Sequence, residues 1–161
     1  MRPIPFILSF LVLGFIQATV AISKATAKNG LKVHNELRAK HGSPPLRWST
    51  KLEKYAQKWS NGCEFKHSQG PYGENLAMGH ASFPDAINAW YNEEKAYNYN
   101  QPGFSGATGH FTAVVWKGTT EVGCGIKKCN GAPIYTCSYY PPGNMVDGTG
   151  AAFKANVLPP K

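Results

Sequence analysis

The sequence predicts an α+β domain in which helices come first and an antiparallel hairpin follows. Three observations carry this prediction: apolar residues at helical spacing in the first half, two short β-branched and aromatic runs in the second, and four cysteines in a chain of 161 residues. That length suits one domain with a sizeable core. Charged residues make up 16% of the chain against 42% hydrophobic, a balance that excludes disorder for most of it.

At the N-terminus, Arg2 precedes an apolar stretch from Phe6 to Ile16 broken only by Ser9 and Gly14, and small residues follow from Ala18 to Ala21. This is the three-part pattern of a secretory signal peptide over residues 1–21, leaving a mature domain over 22–161. The stretch is too short to span a bilayer comfortably. Residues 25–40 have helical composition and stop at Gly42 before Ser43-Pro44-Pro45. A second helix starts at Ser49 or Thr50, with Glu53 completing a capping box; Leu52, Tyr55, Ala56 and Trp59 form its buried face, with Lys51, Lys54 and Lys58 opposite. A third begins at Ser82, carries Pro84 in its first turn and runs through Trp90 towards Tyr97. Phe111 to Trp116 suits strand or helix equally. Val122 to Ile126 and Ile134 to Tyr140 form a hairpin across Lys127-Lys128-Cys129-Asn130-Gly131.

The net charge is +8, or about +7 without Arg2, and it is unevenly placed. Ten Lys or Arg face three Glu between Ser23 and Lys66, whereas six basic residues meet six acidic ones from His67 onward. A lysine stripe opposite an apolar stripe is ordinarily a solvated helix face. Secretion makes disulfides the expected state of Cys63, Cys124, Cys129 and Cys137, with three pairings open. No Asn-x-Ser/Thr acceptor occurs.

Candidate chemistry gathers at His67, Glu74 in the Gly-rich turn Gly70-Pro71-Tyr72-Gly73-Glu74-Asn75, Glu93 one turn after Trp90, and His110. Two imidazoles and two carboxylates suit a divalent ion such as zinc, although they share no HExxH-type local motif. Ser68 beside His67 invites a Ser/His nucleophile, but no orienting acid or oxyanion motif accompanies it.

Gly109-His110-Phe111-Thr112-Ala113-Val114-Val115-Trp116 and Ile134-Tyr135-Thr136-Cys137-Ser138-Tyr139-Tyr140-Pro141-Pro142-Gly143-Asn144-Met145 resemble the two signatures of the CAP superfamily of cysteine-rich secretory proteins, antigen 5 and pathogenesis-related 1 proteins. His34-Asn35-Glu36-Leu37-Arg38 and Gly73-Glu74-Asn75-Leu76 are similar to two shorter motifs of the same family. The absence of a Cys-rich extension resembles the single-domain, pathogenesis-related 1-like branch. The resemblance implies an α-β-α sandwich with a central antiparallel sheet between helical layers, a short helix at Gly109 onward, and two disulfides, Cys124–Cys137 and Cys63–Cys129. It also implies a cleft tetrad of His67, Glu74, Glu93 and His110 able to hold a metal.

The same resemblance implies binding of sterols or fatty acids, for sequestration or export and with a defence or virulence role. Tyr97-Asn98-Tyr99-Asn100-Gln101-Pro102-Gly103-Phe104 is similar to the aromatic caveolin-type loop to which sterol binding is attributed, so Tyr97, Tyr99 and Phe104 are the expected sterol contacts. A Pro-Gly loop holding three rings near the surface could cover the flat face of a sterol; a fatty acid needs an apolar tunnel instead. Metal-assisted hydrolysis is the rival, and four protein ligands would fill a tetrahedral shell and leave no position for water. Binding is favoured over catalysis, with zinc not required for it. A third role is adhesion of the basic helices to an anionic cell-wall or membrane surface. No nucleic-acid motif is present, and a monomer is expected.

Overall fold

The computed structural model describes residues 22–161. The signal-peptide segment lies outside the described residues. Helix α1, Lys24–Lys40, starts where the Ser23 hydroxyl accepts the Thr26 N–H. Then come β1 (Arg47–Trp48), α2 (Thr50–Asn61), β2 (Gly73–Met78), α3 (Phe83–Asn92), a 3-10 turn (Glu93–Ala96), α4 (Gly109–Val115), β3 (Glu121–Cys129), β4 (Ala132–Tyr140) and α5 (Ala151–Asn156). No helix among the described residues is long and apolar enough to cross a membrane.

The strands lie in the order β1-β3-β4-β2. β3, β4 and β2 are antiparallel, and only the two-residue β1 runs parallel to its neighbour, pairing Arg47 with Glu121 and Trp48 with Val122. Asn130 and Gly131 both adopt positive φ at the hairpin tip, which lets the strands continue to Cys129 beyond the expected Ile126. Residues 70–75 are expected as a turn, but the last three of them open the edge strand Gly73–Met78, which pairs Glu74 with Ser138 and Asn75 with Cys137.

Alternation along β3 and β4 divides the molecule into layers. Val122, Cys124, Tyr135, Cys137 and Tyr139 point into the main core with Phe83, Ile87, Trp90, Phe111 and Val114, beneath α1, α3 and α4. Gly123, Gly125, Thr136 and Ser138 point the other way, towards α2. A Cβ at Gly123 would stand 2.2 Å from Glu53 N, and one at Gly125 2.3 Å from Gln57 Cα. The α2 backbone therefore lies directly on the strand.

This close seat corrects the face expected for α2. Leu52, Ala56, Gln57 and Ser60 are buried, and Tyr55 and Trp59 flank the contact half-exposed. The capping box is absent as well: Glu53 Oε2 accepts the Trp48 indole N–H at 2.7 Å, and Ser49 makes no side-chain cap. Cys63–Cys129 ties the end of α2 to the end of β3, and Cys124–Cys137 bridges facing residues of β3 and β4.

Two polar side chains of α1 are fully buried. Arg38 donates to the carbonyls of Pro44, Val114, Trp116 and Thr119, fixing the exit from α4. His34 donates from Nδ1 to Gly30 O and accepts the Tyr139 hydroxyl at Nε2, so it is neutral. Burial holds its pKa down at about 4. An imidazole that titrates at 6.5 when unfolded binds its proton first in the unfolded chain, so its contribution is complete above pH 6.5 and is lost as pH falls towards 4. Urea unfolding at pH 7 and pH 4.5 should show a loss exceeding that of a His34→Gln variant by about 2 to 3 kcal/mol.

Candidate functional site

Where β2, the start of α4 and the loop before β2 converge, a cleft of about 600 Å³ opens, lined among others by His67, Glu74, Asn75, Phe104, His110 and Asn144. The loop and the edge strand supply one half of it. Glu74 Oε1 accepts both His67 Nδ1 at 2.9 Å and the Ser68 N–H at 2.9 Å. Its carboxylate is nearly buried, whereas the His67 ring is more than half exposed.

The 3-10 turn supplies the other half. Glu93 Oε1 accepts His110 Nδ1 at 2.7 Å, while Oε2 accepts the backbone N–H groups of His110 and Phe111. These are unsatisfied donors at the first turn of α4, which has no N-cap side chain of its own. Glu93 therefore caps the helix and orients the imidazole that the helix presents. Two further residues hold the same turn: Asn75 donates to His110 O at 3.0 Å, and Asn144 donates to Gly109 O at 2.8 Å while accepting from Thr112.

The four predicted residues thus form two His–Glu pairs. In each pair Nδ1 is held by a carboxylate, which fixes the tautomer and leaves Nε2 as the free donor atom, the orientation that metal-ligating histidines take from their outer partners. Among the described residues, no three His, Cys, Asp or Glu side chains gather tightly enough to surround an ion. The Nδ1 pairing leaves the Nε2 atoms of His67 and His110 open, and Glu74 Oε2 is buried without a partner. Ser68 forms no pair with His67: its hydroxyl accepts from Tyr55 at 3.1 Å.

The expected three-ring sterol loop is divided by the fold. Tyr97 is only 9% exposed and packs edge-on against Phe111 and Tyr99. Tyr99 also lies against the core, its hydroxyl donating to Glu94. Both rings close the end of α3, and Phe104, 56% exposed, is the one presented to solvent. It borders the cleft and two smaller grooves. Met145, read only as the end of a signature, and Val146, not singled out in the sequence, are exposed at 55% and 72%. Their exposure depends on how the loop after β4 folds back, which local pattern does not encode.

The family model described as the cysteine-rich secretory protein family matches residues 31–139. "Repressed by EFG1 protein 1" of Candida albicans is 43% identical over 155 residues, covering 89% of this chain and 57% of that protein. The chain thus spans little more than half the length of this relative. "Golgi-associated plant pathogenesis-related protein 1" of Homo sapiens is 42% identical over 152 residues, covering 86% and 96%. Among solved structures, "Crystal structure of NaASP2 with Zn2+" matches with a TM-score of 0.70 at 26% identity and covers 88% of both chains.

Removing the Glu93 carboxylate strands two backbone donors and the imidazole it orients. Glu93→Ala is expected to destabilise the fold by about 2 kcal/mol and to speed amide exchange at His110 and Phe111. Unchanged exchange at both amides would contradict the capping role.

Proposed function

The chain belongs to the cysteine-rich secretory protein (CAP) family, and from that membership and its surface we propose that it is a secreted lipid-binding protein that takes a sterol for sequestration or export. The exposed apolar edge formed by Phe104 and Val146 carries this reading. The two residues come from different loops yet line one groove of about 350 Å³, with Pro102 on its wall and the buried Phe153 in its lining. Apolar groups held open to water in one place mark a binding surface. Two of the three expected rings lie against the core, so the groove between the two loops is the place where apolar side chains meet a ligand. Disulfides fit an oxidising, extracellular compartment.

Phe104 is exposed, so its truncation spares the core, as that of Tyr97 would not. Burying a Phe side chain contributes about 1.5 to 3 kcal/mol, so Phe104→Ala should weaken binding of radiolabelled sterol about tenfold or more while leaving the melting temperature unchanged. Val146→Asp should act in the same direction. Sterol binding that survives both substitutions refutes the groove, and a preference for labelled fatty acid over sterol refutes the ligand.

The two oriented imidazoles support a second, separable property, binding of zinc by His67 and His110. Bound zinc would supply Lewis acidity in the cleft. Glu74 and Glu93 would keep the rings in the ligating tautomer. Calorimetric titration with zinc should give a binding isotherm that disappears in His110→Ala, with sterol binding unaffected by chelator. A flat isotherm with the native protein rejects the site.

A further inference from the structure

The lipid reading leaves unused the side of α2 that faces away from the sheet. Lys51, Lys54 and Lys58 are exposed there, and none has an ion-pair partner among the described residues. From Lys51 to Lys58 the helix rises about 10 Å, so the three ammonium groups form a short positive stripe. Beside the stripe is a groove of about 430 Å³ lined by Tyr55, Lys58, Trp59, Gly62, Glu64 and Ser68. Tyr55 and Trp59 are four residues apart and border the stripe along one flank of the helix.

Both rings are pinned at their polar ends. The Trp59 indole N–H donates to Lys66 O at 2.8 Å, and the Tyr55 hydroxyl donates to Ser68 Oγ at 3.1 Å. Tyr72 packs edge-on against Tyr55 and braces it further. The rings are held in place, Ser68 and Glu64 complete the lining, and the Glu64 carboxylate is paired with the Lys66 ammonium. Phe65, on the same loop as Glu64, is a single exposed apolar side chain beside the two pinned rings, too little by itself to enter a membrane. A pinned aromatic platform with polar groups at its edge suits a ring that is apolar on its face and hydroxylated at its periphery, and adjacent lysines require that its polymer carry negative charge.

We propose that this groove and stripe bind an acidic polysaccharide, with one pyranose ring against Tyr55 and Trp59 and neighbouring carboxylates on Lys51, Lys54 and Lys58. The site is separate from the sterol groove, and no step of its recognition depends on lipid. It gives a role to three of the ten basic residues between Ser23 and Lys66.

Titration of the folded protein with a uronic-acid oligosaccharide of about ten residues should give saturable binding that weakens as salt rises. Trp59→Ala and the triple variant Lys51→Glu, Lys54→Glu, Lys58→Glu should each lose about tenfold in affinity or more, with sterol binding retained. In the native protein the Trp59 and Tyr55 ring resonances should shift on titration and those of buried Trp90 should not, a readout that stands if Trp59→Ala fails to fold. Equal binding of a neutral glucan of the same length would overturn the proposal. So would full affinity in a folded Trp59→Ala variant, which leaves only diffuse charge attraction. Binding to phosphatidylserine vesicles but not to the oligosaccharide, lost in the same variants, would replace it with a membrane surface.

Discussion

A single buried hydrogen-bonded line ties the layers together and ends at the cleft. It runs from Gly30 O through the His34 imidazole to the Tyr139 hydroxyl, then through the Asn75 amide to His110 O, crossing from α1 to β4, to β2 and to the start of α4. Each group has the polarity that its neighbour requires: a carbonyl accepts from Nδ1, Nε2 accepts from the phenol, and the two amide hydrogens of Asn75 reach the phenol oxygen and the carbonyl. Neutral His34 is the condition for the whole arrangement, because an imidazolium has no acceptor to offer the phenol. Burial of the line in apolar surroundings makes any broken link costly and so defines one position for His110. Arg38, one turn further along α1, satisfies the carbonyls where α4 ends. Helix α1 thereby sets both ends of the short helix that carries the cleft imidazole.

On the opposite face the constraint is steric. Gly123 and Gly125 remove the side chains that would hold α2 away from β3, and Gln57 uses the close approach to bond Ile126 through both its amide N–H and its carbonyl oxygen. Leu52, Ala56, Gln57 and Ser60 occupy the contact, so the large rings of Tyr55 and Trp59 lie at its flanks. They become the wall of a surface groove, covered at their edges by the loop that follows Cys63. The same two glycines therefore determine how α2 is rotated and what it shows to solvent.

The sequence carried the first three helices, the hairpin and the four cysteines because each has a local cause: spacing of apolar residues, a Ser cap before Pro84, an Asn-Gly turn; Phe111 to Trp116 suited strand or helix equally and α5 had no expectation. Two kinds of feature were not legible locally. The strand Gly73–Met78 is short, begins in a Gly-rich stretch and depends on β4 for its pairing, so its composition reads as a turn. The rotation of α2 depends on glycines some seventy residues away in the chain, and a periodicity count assigns large apolar residues to the core by default. At the site, the imidazoles and carboxylates were visible as residue types, but the division into two pairs was not, because it arises where the 3-10 turn brings Glu93 beneath the first turn of α4. The aromatic loop pattern likewise says nothing about which way each ring turns; packing of Tyr97 against Phe111 decides that.

The loop between α2 and β2 joins the cleft to the aromatic groove. Ser68 lines the cleft and the aromatic groove alike: its hydroxyl accepts from Tyr55 on the groove side, and its N–H donates to Glu74, which holds His67 on the cleft side. Gly70 belongs to the same wall, since a Cβ there would stand 1.8 Å from the Tyr55 hydroxyl. The disulfide from Cys63 to Cys129 anchors the loop at its start, and pairing of Gly73 with Tyr139 anchors it at its end. The segment is thus fixed at both ends and hydrogen-bonded on both sides. Rigid connection through one short loop allows a domain of this size to hold an apolar edge, an imidazole cleft and a basic aromatic face close together while each keeps its own chemistry.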